Sequence, residues 1–230
     1  MPFDFDFIHL KEIDSTNNFA LNYITKTNPK EGFCIFTDYQ TAGKGQYGRN
    51  WVSDSCQNIL CSIILKPTHL SIDRLFELHI ISSLAIFKTL YDLSIKELKI
   101  KWPNDIYQAN SKLKISGILV ENIFRDQINH SVIGIGIDNL ANWERNQLLV
   151  DLVASLDHLI NEFKLFGFAL LRREWLDNCL HLKHNVKILQ HGAIIARGIH
   201  SDIGEHGELI VQTATGIQNF SSSAISLRLD

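Results

Sequence analysis

Three glycines, Gly43, Gly45 and Gly48, fall within six residues, interleaved with Lys44 and Arg49 and closed by Trp51. Glycine reaches backbone angles closed to other residues and lets a ligand approach the main chain. Successive backbone N–H groups in such a loop cradle an anion, and the two cations add long-range attraction. What flanks the loop constrains the fold most. Residues 32–39 read as a strand that delivers Gln40 to the glycines. Asn50 to Gln57 is polar and turn-like, and Asn58 to Leu65 reads as a second strand. A dinucleotide fingerprint needs a helix directly after the glycines and an acidic residue about 20 positions on. A P-loop ends in Gly-Lys-Ser/Thr. Neither is present, so the loop joins two strands and both of those nucleotide folds are excluded.

The remaining elements follow from periodicity and punctuation. Phe5 to Ile13 reads as an opening strand, followed by a helix to about Thr25 that Ser15 or Thr16 caps. Ser71 caps a long helix expected from Ile72 to Tyr91, whose apolar side chains supply core. Glu97 to Trp102 reads as a short strand stopped by Pro103, since proline cannot donate a ladder bond. Strands are expected from Lys112 to Phe124 and from Ser131 to Ile137, with helices at 147–166 and 169–183. From Asn185 the texture changes to short β-like runs broken by Gly192, Gly204, Gly207 and Gly216. Such a pattern points to a small barrel or sandwich, and the domain boundary is set near residue 184, giving 1–184 and 185–230.

Composition removes whole classes of function. Hydrophobic residues make up 45% and charged residues 20% of 230, ordinary for a globular chain. A net charge of −3 lacks the basic excess of a nucleic-acid binder. Cys34, Cys56, Cys61 and Cys179 lack Cys-x-x-Cys spacing, and His181 and His184 near Cys179 lack a His-Glu-x-x-His context, so no metal site or disulfide framework is indicated. The start lacks the basic and apolar regions of a signal peptide, and no apolar run approaches a membrane span. A cytoplasmic protein is expected, with no nucleic acid or membrane partner.

Two further stretches give the loop its context. Lys101-Trp102-Pro103-Asn104-Asp105 is followed nine residues on by Lys114-Ile115-Ser116-Gly117-Ile118-Leu119-Val120-Glu121, and Asp14-Ser15-Thr16-Asn17 stands near the start. In this order the motifs closely resemble the biotin–protein ligases over nearly the whole chain, from about residue 8. The resemblance implies an α+β fold: a mixed β-sheet with packed helices, the biotin/lipoate ligase-like catalytic core, followed by a small SH3-like β-barrel. It implies an ATP-dependent ligase, a biotin–[acetyl-CoA-carboxylase] ligase, that makes biotinyl-5′-AMP and pyrophosphate. The biotinyl group then passes to a lysine of a biotin carboxyl carrier protein. Magnesium is expected with ATP, as is a monomer or homodimer. With few residues ahead of the core, the winged helix-turn-helix that makes some members repressors is not expected here.

The same resemblance assigns roles. Lys114 matches the central lysine that reaches both the biotin carboxyl and the α-phosphate, with Lys101 and Asp105 as further catalytic residues. Biotin contacts fall on Ser15, Thr16, Asn17, Gln40, Lys44, Gly45, Gln46, Lys114, Gly117 and Leu119. Nucleotide contacts fall on Gly43, Lys44, Gly45, Arg49, Trp51, Asn104, Lys114 and Asp138. Lys112 competes with Lys114, because residues two apart on a strand share a face; only Lys114 has the motif spacing to Gly117 and Glu121. The chain departs from the family where Lys44 and Gln46 replace loop arginines and Asp138 replaces an asparagine. Lysine keeps charge but lacks the planar fork of arginine, and Gln46 loses charge altogether. The segment from Asp138 to Gln147 is also shorter than usual. These departures leave a non-catalytic biotin-binding or partner-binding module as one alternative, and a lipoate-type ligase of the same superfamily, which shares the α/β core, is the other.

Overall fold

In a computed structural model, residues 6–52, 58–124, 128–138, 144–222 and 225–230 are described. Cys56 and most of the turn expected at Asn50 to Gln57 lie outside them. A seven-stranded mixed sheet is assembled from β1 (Phe7–Ile13), β2 (Cys34–Gln40), β3 (Ile59–Leu65), β4 (Leu98–Lys101), β5 (Asp105–Gln108), β6 (Leu113–Phe124) and β7 (Ile128–Ile137). Their order is β1-β2-β3-β7-β6-β5-β4. Only β1 and β2 run parallel; every other pair is antiparallel.

Alternation along the strands sends neighbouring residues to opposite faces. Ile35, Ile64 and Val132 pack with Ala20 and Ile24 of helix α1 (Thr16–Thr27). Cys34, Ile63 and Ile133 face the other way, into a core built with α2 (Phe76–Asp92) and α3 (Arg145–Phe166). Covered on both faces, β3 is buried at all seven positions, which explains its unbroken apolar run. Helix α4 (Ala169–Asp177) follows. Residues 178–180 then run beside β4, with the Ile100 N–H donating to the Asn178 carbonyl at 2.9 Å and the Leu180 N–H to the Ile100 carbonyl at 2.8 Å. This covers the edge that β4 would otherwise expose. No helix among the described residues is long and apolar enough to cross a membrane.

The C-terminal strands β8 (Asn185–Gln190), β9 (Ala193–Ile203), β10 (Leu209–Thr213), β11 (Gly216–Phe220) and β12 (Ser226–Leu229) form an antiparallel sheet in the order β11-β10-β9-β8-β12. Register shifts at Ile188/Leu189 and Ile210/Val211 bend it. Where a barrel was expected, no ladder among the described residues closes β11 onto β12. Val186, Ile188, Leu209, Val211 and Leu227 join the same hydrophobic core as Ile100 and Trp102, so the two sheets share one interior.

One residue pins that junction. Trp102 donates its buried Nε1–H to the Gly207 carbonyl at 3.0 Å. Gly207 has φ +85°, and a Cβ there would lie 2.0 Å from the Phe76 ring. Gly207→Ala is therefore expected to cost about 2 to 4 kcal/mol, summing left-handed strain and overpacking. Urea midpoints check this, and an unchanged midpoint would show that the contact carries no strain.

Candidate active site

The N-terminus of α1, the glycine loop and the middles of β6 and β7 enclose a cleft of about 450 Å³ including the open space at its mouth. Its floor is the cross-strand pair Gly117 and Gly136. The Trp51 indole lies on both: a Cβ would stand 2.7 Å from it at Gly117 and 2.3 Å at Gly136. Only glycine leaves the sheet surface open to a flat ring here. The loop holds Trp51 in place, since the Trp51 N–H donates to the Gly43 carbonyl at 2.9 Å and the Gly45 N–H to the Arg49 carbonyl at 2.7 Å.

A bulge aims the central lysine. Ile106 pairs with Ser116 and Tyr107 with Lys114, which leaves Ile115 as the extra residue of β6. Ile115 stays buried in the core, while Lys114 turns into the cleft. There its Nζ stands 2.7 Å from Asp105 Oδ1 and 5.0 Å from the centre of the Trp51 ring. Lys112 does not share this face, as the two-residue spacing had suggested. It precedes β6 in a left-handed turn with φ 54° and is exposed, and strand alternation does not extend into a turn.

Polar groups converge at the start of α1. Ser15 occupies the N-cap position without a side-chain bond to the helix. Gln40, at the end of β2, caps instead: its Oε1 accepts from the Thr16 N–H at 2.8 Å and lies 3.1 Å from the Thr16 hydroxyl. The expected hydroxyl cap is thus replaced by an amide from a neighbouring strand, because that strand passes within reach of the free N–H. Asn17 reaches across the sheet to Ser62 and Glu121.

Beyond Lys114 the cleft opens into a groove between the β4–β5 hairpin and β12. Arg49, Lys101, Lys114 and Arg228 line it, with Asp105 as the one carboxylate among the described residues of its wall. Burial lowers the pKa of Lys101, Asp105 opposes that shift, and Arg228 and Arg49 add to it. Lys101 also sits 4.7 Å over the Tyr107 ring. A polyanion entering the groove would meet four cations held beside a single carboxylate.

The residues singled out in the sequence divide accordingly. Ser15, Thr16, Asn17, Gln40, Lys44, Gly45, Gln46, Trp51, Asn104, Lys114, Gly117 and Leu119 line the cleft. Arg49, Lys101 and Asp105 line the groove, and Gln46, Asn104 and Lys114 border both spaces. Gly43 and Asp138 line neither. Gly43 is covered by Trp51, and Asp138 donates its N–H to the Ile115 carbonyl at 2.8 Å. The short segment after Asp138 falls largely on residues 139–143, outside the described residues. Sequence reasoning missed Gly134 and Gly136 as cleft residues, although a Gly-x-Gly inside a strand signals close approach of another group. It also missed Arg228 and Tyr107, for which spacing along the chain gives no signal.

Residues 10–138 match the biotin/lipoate A/B protein ligase family, and residues 181–228 match the biotin protein ligase C-terminal domain. The chain is 29% identical to the bifunctional ligase/repressor BirA of Escherichia coli (strain K12), over 95% of this chain and 73% of that protein. It is 26% identical to the biotin–protein ligase of Schizosaccharomyces pombe, over 80% of this chain and 35% of that one. The structure superimposes on biotin protein ligase from Aquifex aeolicus in complex with biotin and ATP with a TM-score of 0.81 at 26% identity, covering 99% and 100% of the two chains.

Proposed function

The chain belongs to the biotin/lipoate A/B protein ligase family, and from that membership we propose that it activates biotin with ATP and transfers the biotinyl group to a lysine of a biotin carboxyl carrier protein. One observation carries the reading: Lys114 borders both the cleft and the cationic groove. A carboxylate held in the cleft and a triphosphate held in the groove would meet at its ammonium.

Chemistry follows from that junction. A biotin carboxylate oxygen attacks the α-phosphorus, the bond to the β-phosphate oxygen breaks, and pyrophosphate leaves. The acceptor lysine amine then attacks the acyl carbon, the bond to AMP oxygen breaks, and AMP leaves. Charge builds first on the phosphoryl oxygens and then on the acyl oxygen. Fixed cations aimed there stabilise both transition states, and no protein nucleophile is required. Asp105, 2.7 Å from Lys114 Nζ, holds that ammonium at the junction. Arg49, Lys101 and Arg228 would take the β- and γ-phosphates, so the C-terminal sheet contributes to the nucleotide site through β12. Gln46 brings a neutral amide where a loop cation would add attraction. Trp51, on the sheet beside Lys114, offers its ring to the adenine.

Magnesium is expected with the nucleotide. Asp105 is already engaged by Lys114, and no cluster of three or more His, Cys, Asp or Glu suited to a metal occurs among the described residues. The ion would therefore be held mainly by phosphate oxygens and water, as is common for magnesium. Catalysis is assigned to residues 1–184 and a supporting role to 185–230, a division supported by the second sheet beginning at Asn185. Biotin is favoured over lipoate by the match of residues 181–228 to a biotin protein ligase domain. ATP as substrate fits a cytoplasmic enzyme.

The test is direct. Incubation with a carrier domain bearing one target lysine should add one biotin only when biotin, ATP and magnesium are all present. Mass spectrometry of the carrier showing no addition, with an active ligase in parallel, would overturn the reading.

A further inference from the structure

Five side chains from four elements form a continuous polar chain beside the cleft. Glu121 Oε2 on β6 accepts from Asn17 Nδ2 at 2.7 Å. Asn17 Oδ1 lies 2.6 Å from Ser62 Oγ on β3, and Ser62 Oγ lies 2.8 Å from Thr16 Oγ1. Thr16 in turn meets Gln40 on β2. Ser62 is fully buried, and Thr16 and Asn17 are 3% exposed. Gly134, paired with Ser62, makes the crossing possible, since a Cβ there would stand 2.2 Å from Asn17 Oδ1.

Three contacts in this chain, Ser62 with Asn17, Ser62 with Thr16 and Thr16 with Gln40, share two hydroxyl protons. A carboxylate only accepts, so Glu121 fixes the Asn17 amide with nitrogen toward itself and oxygen toward Ser62. An amide oxygen also only accepts, so the single Ser62 proton goes to Asn17. Ser62 then has no proton left for Thr16, and the Thr16 hydroxyl donates to Ser62 Oγ at 2.8 Å or to Gln40 Oε1 at 3.1 Å. Gln40 Oε1, already taking the Thr16 N–H, is a further acceptor on the same side. The Thr16 proton is thus held within the protein, and its lone pairs face the cleft.

We propose that Ser62 and Glu121 are positioning residues which, through Asn17, fix the Thr16 hydroxyl as a hydrogen-bond acceptor and so select a ligand ring that presents an N–H. The inference rests on the biotin reading above, whose ureido ring carries two such groups. Neither Ser62 nor Glu121 lines the cleft; Glu121 acts through Asn17, and Ser62 acts between Asn17 and Thr16. A ring offering an acceptor at this point would face lone pairs and leave a buried acceptor unmatched, a mismatch that reduces affinity by about 10- to 100-fold.

The experiment compares biotin with an analogue in which one ureido N–H is replaced by oxygen, measured by calorimetric binding and by pyrophosphate release with ATP. Wild type should favour biotin by about 100-fold. Ser62→Ala and the less buried Glu121→Met should lower that preference to about 10-fold or less and raise the biotin KM, with the ATP KM within about twofold. Glu121→Gln, whose amide oxygen still accepts from Asn17, should recover most of the preference lost in Glu121→Met. An unchanged preference in both Ser62→Ala and Glu121→Met would overturn the relay, as would equal losses in the biotin and ATP terms. If Ser62→Ala does not fold, Glu121→Met against Glu121→Gln decides alone. Wild type that binds no biotin would overturn the functional reading and the relay together, whereas active wild type with unmoved selectivity overturns only the relay.

Discussion

Lys114→Ala should slow adenylate formation by about 100- to 1,000-fold, the scale of removing one preorganised charge donor from an acyl- or phosphoryl-transfer site. Lys112→Ala should stay within about twofold of wild type. The contrast comes from the bulge at Ile115, which turns Lys114 toward the cleft while Lys112 stays in the exposed turn before β6. Loss of the Lys114–Asp105 pair should barely affect folding, because the lysine side chain is 36% exposed and such pairs contribute little to stability. A chemical role therefore predicts a large loss of turnover with an almost unchanged unfolding midpoint. Single-turnover pyrophosphate release in both variants is the measurement. Equal losses would refute the assignment of Lys114.

Acidification from pH 7.5 to 5 should destabilise the fold by about 2 kcal/mol for each of His181 and His200 that must gain a proton. Burial lowers the His181 pKa to about 3 and the His200 pKa to about 4, with Lys101 and His200 adding repulsion at His181. Both folded values lie below the ordinary 6.5, so the neutral form stabilises the fold. That contribution is complete above pH 6.5 and is lost as pH falls from there toward 4 and then 3. Carboxylates held below their ordinary values, such as Asp38 beside His9 and Arg145, lose their contribution only below about pH 4. His206 is shifted the opposite way by the Asp73 carbonyl, but it is fully exposed. The two buried histidines sit where residues 181–184 enter the C-terminal sheet, with the Lys183 N–H donating to the His200 carbonyl at 2.8 Å. Burial lowers the pKa of His79 on α2 to about 4 as well, so acid should loosen the interior that the two sheets share rather than the C-terminal sheet alone. Denaturation midpoints at pH 7.5 and 5 test the first point, and midpoints that do not move would refute it.

Much of this architecture is legible along the chain because its causes are local. The glycine loop lies between strands in the structure as expected, and β3 and α3 lie within a few residues of their expected bounds. Where expectation and structure part, a distant partner decided. β5 was not expected, since its four residues are too few to show a period of their own, yet β4 and β6 pair with it on both sides. β11 was missed because its residues are almost all exposed and carry little apolar signal. The helix expected from Ile72 begins with a single 3-10 turn at Ile72–Arg74, and α2 starts at Phe76.

The sequence by itself determined the strand–loop–strand unit, the four ordered motifs and the change of texture at Asn185, because each is written in neighbouring residues. Motif spacing singled out Lys114, but tertiary structure alone decided how it reaches the cleft, since the bulge at Ile115 puts it on the face of Gly117 while Lys112 stays in the turn before β6. It alone brought Arg228, 114 positions after Lys114, to the same groove. It also joined Glu121, Asn17, Ser62 and Thr16 into one polar chain, because hydrogen-bond partners are set by the packing of strands that the sequence lists far apart.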